Sequence, residues 1–282
     1  MPSSIDLDIR NLMVPVRRHS LQVRTLSVGG TERRDRPVMV FLHEGLGCIE
    51  FWRDFPERMV QRTGLDAVVY DRRGYGKSSP VTAPREKDYL HREANEELPR
   101  LLEALSIDRI IPVGHSDGGT IALLYAASFG RRVEAVVTLA AHVFVEPLTL
   151  DGIRETVERY QTGDLKERLS RYHGQKTEWV FHSWADTWLS DGFRDWNIES
   201  FLPQIGCPVL VIQGEDDEYG GREQVEAITS GIGASALPLL VPGCGHSPHL
   251  EAPGAVVDET AHFICRASLC GSAPGSNSQG DR

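Results

Sequence analysis

The chain has 282 residues, a formal net charge of −10 and 40 % hydrophobic residues, so it is long enough to bury a sizeable core. The negative balance, with no Lys/Arg-rich run, excludes the basic surface that nucleic acid binding requires. No apolar segment reaches membrane-spanning length, and Asp6, Asp8 and Arg10 interrupt the run that a signal peptide would need. Five cysteines without a C-x-x-C pair indicate neither a disulfide framework nor a metal site. We therefore expect a soluble cytoplasmic protein.

Short apolar runs rich in β-branched residues alternate with amphipathic segments along the chain. A hairpin is predicted near residues 14–28, and the later runs predict strands buried on both faces. The predicted strands are Val38–Leu42, Ala67–Tyr70, Ile110–Val113, Ala135–Leu139, Pro208–Ile212 and Leu237–Val241, and the predicted helices are Phe51–Thr63, Tyr89–Leu105, Gly118–Phe129, Arg222–Ile232 and Pro253–Cys265. The alternation predicts an α/β fold with a mostly parallel central sheet flanked by helices.

One interval between Ala141 and Pro208 has no strand-like run and holds four of the five tryptophans. We interpret residues 142–205 as a helical cap inserted between two late strands, with residues 1–141 and 206–267 forming the core and residues 268–282 a disordered tail. About half of the cap's aromatic side chains should pack within the cap itself, and the others should line an apolar pocket. The candidate pocket residues are Phe144, Trp179, Trp184 and Trp188.

The sequence Gly114–Gly119, G-H-S-D-G-G, lies between a predicted strand and a predicted helix. In that context G-x-S-x-G predicts a sharp turn that raises the hydroxyl of Ser116 out of the backbone and points the following helix towards it. The alternative is a turn of small residues in which Ser116 only caps the helix. We favour a nucleophile because candidate partners follow in the required order.

A serine nucleophile needs a base and an acid that orients the base. The acidic cluster after the strand ending at Ile212 offers Asp217, with Glu215 and Asp216 as alternates. After the last strand, the glycines beside His246 favour it as the base over His249.

An oxyanion hole needs backbone N–H donors from the residue after the nucleophile and from the loop after an earlier strand. Asp117 supplies the first. The segment 43–47, H-E-G-L-G, is the candidate for the second, with Gly45 favoured and Leu46 next.

These motifs together resemble the α/β-hydrolase fold family from about Val38 to Phe263, and residues 71–78, D-R-R-G-Y-G-K-S, are similar to the family's D-x-R-G-x-G-x-S turn. The resemblance implies an eight-stranded, mainly parallel sheet and no cofactor or metal. Glu44 departs from the common His-Gly pair of the oxyanion loop, and serine at position 116 argues against the dehalogenase branch, whose nucleophile is aspartate.

We expect a cofactor-independent serine hydrolase that cleaves a small, largely apolar carboxylic ester, with Ser116, His246 and Asp217 as its triad. A C–C bond hydrolase, a lactonase or a thioesterase would use the same triad, and a slow-turnover ligand receptor is the alternative from another class. The acidic composition predicts a cavity rim poor in Lys and Arg, which disfavours a polyanion as large as coenzyme A. The expected partner is a small molecule, not nucleic acid or a membrane, and a homo-oligomer is compatible with the sequence.

Overall fold

A single sheet of eight strands organises the chain, and the computed structural model describes it for residues 6–29 and 36–267. The strands are β1 (Leu7–Val16), β2 (His19–Val28), β3 (Val38–Leu42), β4 (Ala67–Tyr70), β5 (Ile110–His115), β6 (Val136–Leu139), β7 (Val209–Gly214) and β8 (Ala236–Val241). Their order is β1-β2-β4-β3-β5-β6-β7-β8. The β1–β2 and β2–β4 pairs are antiparallel, and the others are parallel. The predicted α/β fold is confirmed.

Helices cover both faces of the sheet. They are α1 (Phe55–Thr63), α2 (Tyr89–Arg92), α3 (Leu98–Ala104), α4 (Asp117–Phe129), α5 (Pro147–Thr162), α6 (Leu165–His173), α7 (Thr177–Leu189), α8 (Arg222–Ile232), α9 (Pro248–Glu251) and α10 (Pro253–Arg266). Side chains alternate along β3, so that Val40 and Leu42 pack with α3 and α4 while Met39 and Phe41 pack with α1 and α10. Within the described residues, no helix has the length and apolar character needed to cross a membrane.

The two edges of the sheet differ from the sequence-based expectation. The hairpin begins at Leu7, which pairs with Val28, rather than near residue 14. At the other edge, β8 was expected to be buried on both faces, but Leu237 is 53 % exposed. Among the described strands it pairs with β7 alone, and an edge position leaves part of its surface to solvent. The predicted tail, residues 268–282, lies outside the described residues.

The predicted helix Tyr89–Leu105 is interrupted by a π-helical segment, Glu93–Glu97. Pro99, in the first turn of α3, has no N–H to donate to the preceding turn, so a regular α-helix cannot run through this point. The wider turn brings Glu93 to Tyr70, whose hydroxyl donates a hydrogen bond of 2.8 Å to the Glu93 carboxylate.

Helices α5, α6 and α7 pack on one another in the interval between β6 and β7. A short 3-10 helix, Glu199–Gln204, ends this interval and packs against α4 and α8, two of the helices that cover the sheet. The division into a core of residues 1–141 and 206–267 and a cap of residues 142–205 remains a prediction.

A buried ion pair joins the loop after β4 to the start of α4. The side chains of Arg72 and Asp117 are only 3 % and 1 % exposed, and the guanidinium lies 3.2 Å from the carboxylate. Arg72 also donates to the carbonyl oxygen of Glu44 at 2.8 Å, and the Tyr89 hydroxyl donates to Asp117 at 2.9 Å. Two buried charges of opposite sign thereby connect two loops and two helices: the loops after β3 and β4, and helices α2 and α4.

Removing the cation of this pair should destabilise the fold strongly. For Arg72→Met we expect the free energy of unfolding to fall by about 3–5 kcal/mol, because the Asp117 carboxylate would remain buried without its partner. Urea denaturation measures the change. Arg73→Met is the matched control, since the neighbouring Arg73 is exposed, and its effect should stay within about 0.5 kcal/mol. Equal losses in the two variants would contradict the assignment.

Candidate active site

Ser116 stands between β5 and α4 in a strained backbone conformation, with φ 53° and ψ −117°. The turn closes only because glycines flank it. A Cβ on Gly114 would lie 2.1 Å from the carbonyl oxygen of Gly118, and one on Gly118 would lie 1.8 Å from that of Leu42. Such strain costs on the order of 1–3 kcal/mol and is typical of functional turns. The sequence-predicted elbow therefore has a steric cause in the neighbouring backbone.

His246 and Asp217 meet at the carboxyl edge of the sheet, in the loops after β8 and β7. The Nδ1 atom of His246 lies 2.9 Å from both carboxylate oxygens of Asp217. Asp217 also accepts hydrogen bonds from the backbone N–H of Tyr219 at 2.8 Å and from the side-chain amide of Gln213 at 2.5 Å. These contacts fix the carboxylate and hold the imidazole with Nε2 as its free nitrogen.

The other sequence-based candidates for the acid and the base do not form such a pair. Glu215 and Asp216 are exposed, and their backbone N–H groups bond to Val241 and Cys244. His249 is buried, with its ring 5.0 Å from that of Trp52. Burial and the neighbouring histidines lower the pKa of His249 well below the ordinary value. The structure thus brings His246, and not His249, to the acid.

Two opposing effects set the pKa of His246. Burial alone would lower it, but the charge of Asp217 and its hydrogen bond outweigh burial, with smaller contributions from Glu218 and Glu44. The net result is a raised pKa. The pKa of the neighbouring His142 is shifted in the other direction. Burial and the proximity of His246 lower it to about 4, so His142 is neutral near pH 7. His142 Nε2 lies 3.0 Å from the carbonyl oxygen of Tyr219.

The three predicted oxyanion donors are Asp117, which directly follows Ser116, and two residues of the loop after β3. Asp117 is the first residue of α4, and Gly45 and Leu46 line the same cavity as Ser116. Within residues 6–29 and 36–267, no protein atom accepts a hydrogen bond from the backbone N–H of any of the three. Free N–H groups at this place are what a developing oxyanion needs.

The helical segment between β6 and β7 also holds the oxyanion loop. His173, at the end of α6, accepts a hydrogen bond at Nδ1 from the backbone N–H of Gly76, so its Nε2 carries the proton and donates to the carbonyl oxygen of Leu46 at 2.9 Å. The ring of Trp184 packs where a Cβ on Gly45 would stand. A side chain at position 45 would therefore displace this tryptophan.

A cavity of about 530 Å³ joins these groups. Of the predicted pocket residues, Trp184 and Trp188 line it. Trp179 and Phe144 do not: the indole N–H of Trp179 donates to the carbonyl oxygen of Ala83 at 2.9 Å, and Phe144 forms a backbone bridge with Asn197. Sequence position alone does not fix which face of a helix or strand an aromatic residue occupies. The other lining residues are Glu44, Gly45, Leu46, Phe51, Arg53, His115, Ser116, His142, Thr149, Ile153, Thr156, Arg159, Leu165, Arg168, Leu169, Arg171, Tyr172, Glu218, Tyr219, His246, Ser247, His249 and Leu250.

Charged residues of the cavity were not found from the sequence. The expectation of a rim poor in Lys and Arg is wrong, because Arg53, Arg159, Arg168 and Arg171 all line the cavity. Arg168 and Arg171 are three residues apart on α6, and this spacing could have suggested a shared surface, but not the direction in which it faces. Glu44 also lines the cavity, 3.5 Å from His115. Burial would raise the pKa of Glu44, but the contact with His115 brings it below the ordinary value, so the side chain is a carboxylate.

The described residues include no cluster of metal-binding side chains, and the two thiols beside the site are buried. No group of three or more His, Cys, Asp or Glu side chains in residues 6–29 and 36–267 is arranged to hold a metal ion. Cys48 and Cys244 are buried beside the site loops, and burial raises the pKa of both thiols. Both therefore remain protonated thiols at neutral pH.

Comparison with known proteins agrees with the fold. The Alpha/beta hydrolase family matches residues 39–259. Serine hydrolase BPHL of Homo sapiens is 30 % identical over 194 residues, covering 65 % of this chain and 64 % of that protein, which is less than two thirds of its length. Bifunctional esterase/perhydrolase DCH of Acinetobacter calcoaceticus is 26 % identical over 234 residues, covering 70 % of this chain and 82 % of that protein.

Among solved structures, 2-hydroxy-6-oxo-6-phenylhexa-2,4-dienoate hydrolase from Rhodococcus sp. strain RHA1 superimposes with a TM-score of 0.74 at 15 % identity, covering 92 % of this chain and 100 % of that one. At that identity the likeness shows the fold. The family match spans most of the sequence, from β3 into α10. The chain belongs to the alpha/beta hydrolase family.

Proposed function

We propose that this protein is a serine hydrolase that cleaves a small, largely apolar carboxylic ester through an acyl-enzyme. The observation that carries the proposal is that His246, hydrogen-bonded to Asp217, lines the same cavity as Ser116 on its strained turn. Relatives named as a serine hydrolase and as an esterase/perhydrolase support it.

The proposed reaction begins when the Ser116 hydroxyl oxygen attacks the ester carbonyl carbon while Nε2 of His246 takes the hydroxyl proton. The carbonyl oxygen becomes an oxyanion held by the backbone N–H groups of Asp117 and of Gly45 or Leu46. His246 returns the proton to the leaving alcohol, which departs with its bonding electron pair. Water, activated by the same imidazole, then releases the acid from Ser116. Asp217 stabilises the imidazolium in both halves of the reaction.

The cavity supports a small substrate with an apolar body. Its volume of about 530 Å³ lies within the usual range of small-molecule sites. Leucine and tryptophan side chains, among them Leu165, Leu169, Trp184 and Trp188, form much of its wall. Burial of apolar substrate surface against these side chains favours binding at roughly 25 cal/mol per Å².

A substrate panel separates ester hydrolysis from the other bonds that this triad cleaves. Relatives named for other activities include a proline iminopeptidase and a 2-hydroxy-6-oxononadienedioate hydrolase. Turnover of a short p-nitrophenyl ester is compared with that of a lactone, a vinylogous diketone and an acyl-CoA thioester. A fluorophosphonate probe distinguishes an enzyme, which it labels rapidly at Ser116, from a slow-turnover receptor on the same scaffold.

Loss of the nucleophile should abolish turnover. For Ser116→Ala we expect kcat for a short p-nitrophenyl ester to fall by about a millionfold, because the remaining groups cannot act without the nucleophile. Ser247→Ala is the matched control: Ser247 lines the same cavity, and the variant should retain activity of the same order as the unmodified protein. Thermal unfolding of both variants checks that they fold. Retained activity in Ser116→Ala would refute the proposal.

The pH dependence should report the raised pKa of His246. The base must be neutral to take the proton, so kcat/KM falls as the pH falls through that pKa, with a midpoint above 6.5. Glu218→Gln removes a charge that raises this pKa and should move the midpoint down.

Glu215→Gln serves as the control for this prediction. Glu215 lies in the same loop, is exposed and does not line the cavity, so the midpoint should stay unchanged. The pH profile of kcat/KM is measured for all three proteins. An identical shift of the midpoint in both variants, or no shift in Glu218→Gln, would contradict the attribution of the raised His246 pKa to the charge of Glu218.

A further inference from the structure

Four arginines line the cavity of a chain whose net charge is −10. We call Arg53, Arg159, Arg168 and Arg171 the basic rim. All four are exposed. Arg171 pairs with Glu167 at 2.8 Å, whereas for Arg53, Arg159 and Arg168 no carboxylate of the described residues lies within ion-pair distance. Three guanidinium groups at the cavity are thus free to bind an anion.

The arginines occupy rows of cavity-facing residues on two helices. On α6, Leu165, Arg168, Leu169 and Tyr172 all line the cavity, and their spacing of three, four and seven residues places them on one helix face. An amphipathic helix ordinarily turns its arginines away from its apolar face. Arg168 instead interrupts that face on the side of the cavity.

Helix α5 repeats the arrangement. Thr149, Ile153, Thr156 and Arg159 line the cavity, and successive members lie four, three and three residues apart. Arg159 follows this row towards the helix end. The aliphatic stems of Arg159 and Arg168 can cover apolar wall while their charged ends remain in water. Both helices therefore place a guanidinium beside the apolar part of the cavity.

The reacting end of the cavity has the opposite character. Glu44 and Glu218 line it. Glu44 lies 3.5 Å from His115, whose ring centroid is 5.1 Å from that of His246, and Glu218 directly follows Asp217 in the chain. An anionic group close to the scissile bond would meet these carboxylates. Ser116 is buried, whereas Arg159 and Arg168 are exposed, so an anionic group that reaches the solvent-facing part of the cavity would meet the arginines of α5 and α6 instead.

We infer that the basic rim binds a carboxylate or phosphate at the distal end of the substrate, so that the protein prefers esters whose acyl chain ends in an anion. The inference rests on the proposed function, since it names the substrate class of the same site. Guanidinium groups suit both anions because they donate several hydrogen bonds in one plane. The apolar chain between ester and anion would lie along Trp184 and Leu169.

The test compares kcat/KM for matched pairs of 4-nitrophenyl esters. Hemi-esters of glutaric, adipic and suberic acid are set against neutral esters of the same chain length, and a phosphonate-terminated ester distinguishes a phosphate source from a carboxylate source. At low salt we expect a preference of about tenfold for the anionic ester at one or more chain lengths, declining at high salt. No preference at any length for either anion would overturn the inference.

Paired variants locate the preference on the rim. Arg159→Gln with Arg168→Gln should bring the ratio of anionic to neutral kcat/KM close to one. Arg154→Gln with Arg194→Gln removes the same charge from exposed arginines that do not line the cavity and pair with Asp151 and Asp191, so the ratio should hold. An equal fall in both double variants would assign the preference to net charge and overturn the inference.

A binding measurement keeps this test separate from catalysis. In the Ser116→Ala variant, the binding of monomethyl adipate and of methyl hexanoate is measured by the quenching of tryptophan fluorescence, to which the cavity residues Trp184 and Trp188 contribute. Binding about tenfold tighter for the monoanion supports the rim, and equal binding overturns it. If no ester is turned over by the unmodified protein but the monoanion still binds more tightly, the proposed function fails while the anion subsite stands.

Discussion

The close approach of three backbone segments at Ser116 is the constraint on which the site depends. The end of β3, the end of β5 and the first turn of α4 come so near one another that Gly114 and Gly118 leave no space for a Cβ. This contact forces the left-handed backbone of Ser116 and starts α4 directly after it. Because α4 is buried along most of its length, the packing of its apolar residues offsets the strain of the turn. The nucleophile position is thus maintained by the core of the sheet.

The Arg72–Asp117 ion pair extends this constraint to the oxyanion loop. One guanidinium contacts both the side chain of Asp117 and the carbonyl oxygen of Glu44. The two segments that supply the proposed oxyanion donors are therefore held by the same buried cation. Helix α7 joins this arrangement through Trp188, whose indole N–H donates to the Tyr89 hydroxyl at 3.0 Å, and Tyr89 in turn donates to Asp117. A displacement of α7 would thus act on the residue next to the nucleophile through two hydrogen bonds.

The sheet and the candidate triad could both be predicted from the sequence, because both depend on local patterns of residues. Short apolar runs mark the strands, and in a parallel sheet the loops after successive strands meet at one edge, which places the neighbourhoods of Ser116, Asp217 and His246 together. Features that depend on how one element packs against another were not predicted. The π-helical segment depends on the effect of Pro99 within a longer helix, and the placement of Trp179 outside the cavity depends on how α7 is rotated. Neither is encoded in residue type or spacing alone.

Net charge proved a poor guide to the cavity for a similar reason. The sum over a chain of 282 residues contains no information on where the charges lie, and a field at a binding site comes from the few groups within about a Debye length of it. Here the acidic residues Glu44 and Glu218 share the cavity with four arginines, so the local balance is opposite in sign to that of the whole chain. An acidic protein surface around a basic cavity would also steer anions weakly in bulk solution yet bind them once inside. Substrate selection by such a site depends on where the anion lies within the substrate, rather than on the charge of the protein as a whole.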